Sequence, residues 1–512
     1  MTKEAKGNPF WRALPLLGAF IGTLLLCWPA ILNGGAFFFP DTSAYLRGAD
    51  AVAHEAIGTQ SPWSDKRELY ERMGPTPISN PRRLNHDKAD PTGSLGEPRH
   101  PVLLNRSVYY GLSILPFVLV VSIGGALLQS ALVVFGLRIV LAAMSIRRDQ
   151  LSFWLLGSVV LLASFTSLPF YVSLLMPDVF AGLVIALAVS AAVGWDRLFH
   201  WERAGMVALM MFGAMAHSSH ILLLLSIFVI ALLMYQFTEG IARAGLAVIL
   251  LAALSGVASE NIFASMIAHR LGSAPVRPPF LTARLVDEGA GFRMLKARCP
   301  GIGLEACRFV DRMPRDSDTF LWSPNPEGGV FSVESLDVQR RLAQQDSKFA
   351  LATLEYDPTA VVLQSAKAAV EELFRTDLNI FNAPAPVGDA QRLYDNLPRR
   401  FAQEVHESLY AAGQMPVVWS ESANALAAIA GAAYLVWILI DAVVWRRPFS
   451  RAEFAAALFL AGVLANAAIT GALSKPHDRY NARVIWVLPL ASLTIMITGA
   501  SRQRRGKRDA TS

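Results

Sequence analysis

Residues 176–194 read Met176-Pro177-Asp178 and then VFAGLVIALAVSAAVG, sixteen residues without a single charge. A helix needs about 20 predominantly apolar residues to span a hydrocarbon core of roughly 30 Å, and this run, apolar on every side, approaches that length. Similar runs lie at 13–33, 125–144, 151–167, 204–216, 221–237, 244–262, 423–444, 454–473 and 484–500. A helix satisfies its backbone hydrogen bonds internally, as hydrocarbon demands. The expected fold class is therefore an all-α polytopic membrane protein of about ten transmembrane helices. Composition agrees: 53% of residues are hydrophobic and 17% charged, with mean hydropathy +0.39, against about a quarter charged in soluble proteins.

Short cytoplasmic loops hold the excess of Lys and Arg. With the N-terminus (Lys3, Lys6, Arg12) inside, the inner segments carry Arg147-Arg148, Arg197 with Arg203, Arg243, Arg446-Arg447 with Arg451, and the tail from Arg502 to Arg508. The short crossing at 204–216 would otherwise merge with the next one across His217-Ser218-Ser219-His220, which puts Arg203 and Arg243 on opposite sides; two crossings are favoured. The first run begins too late and has no small-residue cleavage site, so it reads as a retained helix. Both termini are expected in the cytoplasm, with the chain in the cell inner membrane. The net charge of +6 lies largely in inner loops and the tail, which suits topology and contact with anionic membrane lipids. Basic runs interleaved with aromatics do not occur, and no nucleic-acid partner is expected.

The expected organisation is a cytoplasmic head and first helix (1–33), an outer loop with interfacial helices (34–124), helices two to seven (125–262), a mostly helical outer, periplasmic domain (263–418), helices eight to ten (419–500) and a basic cytoplasmic tail (501–512). In the outer domain, apolar residues recur at helical spacing between Asp337 and Phe374, which predicts helices there. Cys299 and Cys307 flank a seven-residue stretch of that domain, and an oxidising compartment favours a small structural disulfide. Cys27, in the first helix, reads as inert packing.

Polar motifs in hydrophobic surroundings fall at alternate crossings and hence on one face. Asp41 follows Phe37-Phe38-Phe39-Pro40, where a carboxylate between low dielectric and water suits a general base or metal ligand; Pro-Asp-Thr-Ser is equally good N-cap chemistry. Asp178 opens the fourth crossing, either as an N-cap aided by the helix dipole or as a functional carboxylate at membrane depth. His217 and His220 share one helical turn and would face one ligand or simply hydrogen-bond at the interface. His477-Asp478-Arg479-Tyr480 separates the last two crossings, with Lys475 and Arg483 nearby; Arg suits bidentate phosphate binding. Arg106, beside Tyr109 and Tyr110, is a second phosphate clamp or a snorkelling interfacial side chain.

A first helix, a long outer loop bearing an early Asp, an acidic residue at the outer start of the fourth helix and a large late outer domain together resemble the GT-C superfamily of integral-membrane glycosyltransferases, which includes protein mannosyltransferases and aminoarabinose transferases. The likeness covers the topology from Phe37 through the last helix, and the strings at 176–181 and 477–484 resemble those of a bacterial branch. It implies a polyprenyl-phosphate-linked sugar donor, an envelope glycan, lipid or protein acceptor, and transfer on the periplasmic face. Asp41 and Asp178 then take the catalytic positions, while Arg106, Tyr109, His477, Asp478, Arg479 and Tyr480 bind substrate. The single acid at Asp178, in place of a double-acid motif, makes a divalent metal ion an expectation only if His217 and His220 join Asp41 and Asp178 as ligands. Competing readings are a lipid-linked glycan flippase or transporter, in which polar groups spread through the bilayer depth, and a noncatalytic subunit of an envelope polysaccharide assembly system.

Overall fold

The computed structural model describes residues 9–59, 61–63, 104, 106–236, 240–272, 274–323, 325, 327–382 and 397–509. Lys3, Lys6 and the middle of the first outer loop (64–103) lie outside the described residues. Among the described residues there is no strand, only an isolated parallel bridge between Phe37 and Leu174. The chain is a helical membrane protein, with seven helices among the described residues long and apolar enough to cross a bilayer.

The helices in chain order are α1 (Pro9–Leu26), α2 (Trp28–Asn33), α3 (Thr42–Ile57), α4 (Val108–Val120), α5 (Ser122–Ala143), α6 (Leu151–Phe165), α7 (Leu168–Ser173), α8 (Val179–Gly194), α9 (His200–Ala216), α10 (Ser218–Tyr235) and α11 (Arg243–Leu271). Then come α12 (Phe280–Asp287), α13 (Ala290–Arg298), α14 (Ser317–Trp322), α15 (Leu336–Gln344), α16 (Asp346–Tyr356), α17 (Pro358–Leu373), α18 (Arg399–His406), α19 (Val417–Val444), α20 (Arg451–Leu473), α21 (Asp478–Ala482) and α22 (Val487–Asp509).

The run that opened the sequence reading becomes the hub. Every residue of α8 is buried, as a helix apolar all round must be, and α5, α9, α10, α11, α20 and α22 pack around it. Three of the ten expected crossings are not among the seven spanning helices. The first run breaks at Cys27 into α1 and α2, leaving the apolar stretch Leu16–Leu26; α6 is 15 residues long; and α9 begins with Glu202 and Arg203 in its first turns. Conversely, α4 is an apolar helix of 13 residues inside the expected outer loop. The break between α9 and α10 falls at His217, as two separate helices require.

The domain expected at 263–418 divides in two. A second hydrophobic core runs from Val276 to Phe349 and includes Met294, Phe309, Phe320 and Leu342. Leu378, Phe381, Phe401 and Val417 instead join the core of the membrane body, where the Phe381 ring meets Phe37 and Phe170 at 5.2 Å and Tyr171 at 5.5 Å. The second unit holds the expected disulfide, Cys299–Cys307. Cys27 is buried and free.

Candidate functional site

Two loops distant in sequence are stitched together at the end of the membrane body nearest the second unit. Phe37 N donates to Ser173 O and Leu175 N to Phe37 O, both at 2.9 Å, and the Thr42 hydroxyl donates to Leu175 O at 3.0 Å. The Asp41 segment is thereby held beside the one that leads to Asp178. Gly111 of α4 lets α3 approach closely, since a Cβ there would stand 2.2 Å from the Tyr45 carbonyl oxygen. That contact brings Arg106, just ahead of α4, onto Asp41.

Neither carboxylate caps its helix. Asp41 and Asp178 occupy N-cap positions of α3 and α8 without a side-chain cap bond. Asp41 is instead paired with Arg106. Burial works against the Arg106 charge, and the Asp41 carboxylate more than offsets it, so its pKa is raised. Asp178 is 2% exposed; its Oδ1 accepts Arg483 Nη1 at 3.1 Å and lies 3.5 Å from Arg479 Nε. Arg479 also packs over the Phe39 ring at 4.4 Å and donates to the Tyr480 hydroxyl at 3.3 Å. The two pairs form one field, because Asp41 acts electrostatically on both Arg106 and Arg479, and the two guanidiniums repel each other.

Three guanidiniums thus face two carboxylates, and their donors are not all used. Among the described residues, Arg479 Nε and Nη1 and Arg483 Nε are buried without a hydrogen-bond partner. Arg483 Nη2 also reaches Ser219 Oγ and Asn466 Oδ1, each at 3.5 Å, and its guanidinium lies 5.1 Å from the Tyr480 ring. Such orphaned donors cost free energy unless an acceptor arrives.

The histidines have structural duties. His217 Nδ1 accepts from Ser219 N at 3.2 Å and caps α10. His220 Nδ1 lies 2.8 Å from Gly213 O, and its buried Nε2 has no partner among the described residues. The expected metal set is not brought together: both carboxylates are engaged by arginines, and the described residues contain no group of three or more His, Cys, Asp or Glu that could hold a metal ion.

The remaining expected residues scatter. Tyr109 donates to Ser259 O at 3.1 Å rather than into the cluster. Asp478 faces Arg375 at 3.7 Å. His477 Nδ1 accepts from Arg479 N at 3.2 Å and caps α21; burial, with Arg479 and Arg375 nearby, pushes its pKa down to about 4.

Arg483, which the sequence reading named only as a nearby base, stands at i+4 from Arg479. Other residues of the site escaped that reading: Asn466 is a polar residue inside an apolar run. Glu372 and Trp322 carry no such signal. Glu372 Oε2 accepts from His477 N at 2.8 Å, and burial lifts its pKa to about 7. Trp322 of the second unit lies 6.0 Å from the Arg106 guanidinium, and Lys475 pairs with Asp316 of the same unit, so the second unit closes over the cluster. Comparison of the chain with family models, with curated proteins and with solved structures finds no match in any of the three.

Proposed function

We propose that this chain is a membrane glycosyltransferase of the GT-C kind, moving a sugar from a polyprenyl-phosphate-linked donor to an envelope glycan, lipid or protein acceptor. The observation that supports it most is the surplus of buried guanidinium donors beside two carboxylates. A phosphate diester would supply the missing acceptors, and preorganised cations stabilise a departing phosphate well at low dielectric. In this reading Asp41, released from Arg106 as donor binds, takes the proton of the acceptor hydroxyl. The hydroxyl oxygen bonds to the anomeric carbon while that carbon's bond to phosphate breaks, and configuration inverts. Arg106, Arg479 and Arg483 receive the charge left on the polyprenyl phosphate; Asp178 holds the latter two in register. No step runs through a metal ion.

The same reading places the protein in a cell inner membrane, with about ten crossings, both termini cytoplasmic and the cluster on the periplasmic side. Arg148, Arg197 and Arg451 gather at the opposite end of the body, as an arginine-rich cytoplasmic face requires.

The test is release of polyprenyl phosphate from lipid-linked sugars by purified protein, wild type beside Asp41→Asn. Release by the wild type alone supports the transferase. A folded protein that releases none from any donor favours the transporter or assembly-subunit reading.

A further inference from the structure

Helix α17 joins the two cores. Val361 near its start packs on the core of the second unit, and Leu373 at its end packs on that of the membrane body. Between them Ala368 seats on Gly471 of the spanning helix α20, where a Cβ would stand 2.7 Å from the Ala368 carbonyl oxygen. Five residues past Leu373, the chain enters the membrane body at Leu378 and then Phe381, both fully buried. The C-terminal half of α17 therefore runs at the depth of the outermost turns of the spanning helices.

Its other face is apolar and open. Val362, Ala366, Val370 and Phe374 follow each other at i+4 spacing, and Val362, Val370 and Phe374 are 61%, 55% and 80% exposed. A stripe of this kind on a water-facing unit is unusual. Its end meets surface that must face lipid: just past Phe374, Leu378 N donates to Glu421 Oε1 and Thr376 O accepts from Asn424 Nδ2 of α19, and the first turn of that spanning helix carries Val418 and Trp419 at 73% and 68% exposure. Trp is the side chain expected at the boundary of hydrocarbon and headgroups.

We infer that α17 is a membrane-seated helix, its Val362–Val370–Phe374 stripe immersed in phospholipid chains of the leaflet at the site end. A helix with one apolar face buries that face a few ångströms into the headgroup and acyl boundary. The opposite face of α17 carries Glu372, which holds the backbone of His477, so the bilayer fixes the helix that positions the loop bearing Arg479. The second unit is thus tethered to the membrane by lipid contact as well as by its chain ends.

The test uses full-length protein in nanodiscs of phosphatidylcholine and phosphatidylglycerol, with bimane on Val370→Cys or Phe374→Cys and, as control, on Glu327→Cys of the second unit. Cys27 is buried, and labelling of the wild type sets the background. Both stripe positions are exposed, so neither change removes core packing. Brominated acyl chains should remove more than half of the emission at Val370 and Phe374 and little at Glu327, whereas aqueous iodide should do the reverse. Iodide quenching at the stripe equal to that at Glu327 would overturn the inference, and so would protection from both quenchers, which would mean that protein covers the stripe.

Discussion

The membrane body carries a cluster of arginines on carboxylate at each end, and the two are built differently. At the end away from the second unit, fully buried Glu202 accepts from Arg138 and Arg148 on Oε1 and from Phe199 N on Oε2. Its arginines are 30% and 34% exposed and lie over Trp201 and Phe199. Every oxygen is used and the cations keep their water, so the arrangement ties α5, α9 and the intervening loop together with nothing missing. At the other end, two arginines with side chains 10% and 1% exposed share a single oxygen of Asp178 and keep unpartnered donors. Burying cations without acceptors makes sense where a ligand is to complete the set. The first cluster is a fastener; in the proposed function the second is a receptor.

The largest expected effect follows from that contrast. Removing one partner of a buried ion pair costs about 3–5 kcal/mol because the remaining charge stays buried. Asp178→Asn should therefore lower the thermal midpoint in detergent far more than Glu202→Gln, whose arginines rehydrate. Equal losses would erase the distinction.

A second test uses protonation of the contact between α17 and α21. Glu372, raised from an ordinary 4.5 to about 7 by burial, adds stability below pH 4.5 that is lost as pH rises through 7. His477, lowered from 6.5 to about 4, adds stability above pH 6.5 that is lost as pH falls through 4. Between pH 4.5 and 6.5 the two slopes oppose each other. Glu372→Gln should expose a loss on acidification and His477→Gln a loss on alkalinisation, each of up to about 3 kcal/mol. Thermal midpoints measured against pH check both signs.

Reducing Cys299–Cys307 probes the second unit by itself. Opening a loop of this size costs about 2.5 kcal/mol in the chain-entropy model. Proteolysis should rise within 276–349 while binding at the cluster survives; loss of both would mean that the units do not behave separately. Gly111→Ala should cost about 1–3 kcal/mol by overpacking against Tyr45 and should weaken the Asp41–Arg106 pair, seen as a lower activity at unchanged insertion.

How much of this was legible depended on whether the signal was local. The hub helix α8 and the break at His217 follow from run length and a polar interruption. The meeting of Asp41, Asp178, Arg106 and Arg479 was readable from alternate crossings alone, because every such loop must emerge on the same side. Their pairings were not: the N-cap reading of both aspartates rested on local turn chemistry, and tertiary ion pairs displaced it. Arg483 was visible through its spacing from Arg479. Helix α4 fell below the length that marks a crossing, and Glu372 looks like any exposed glutamate on an amphipathic helix until α17 is docked. The division of 263–418 between two cores left no trace in composition, since Phe381 and Phe401 are as compatible with one core as with the other.

The most direct test of the receptor at the site end is binding of polyprenyl phosphate, followed by native mass spectrometry of the purified protein. Arg479→Gln with Arg483→Gln is compared with Arg138→Gln with Arg148→Gln. Binding that is lost in the first pair and kept in the second is the predicted result. Binding kept in both, with the first pair folded, would contradict the account.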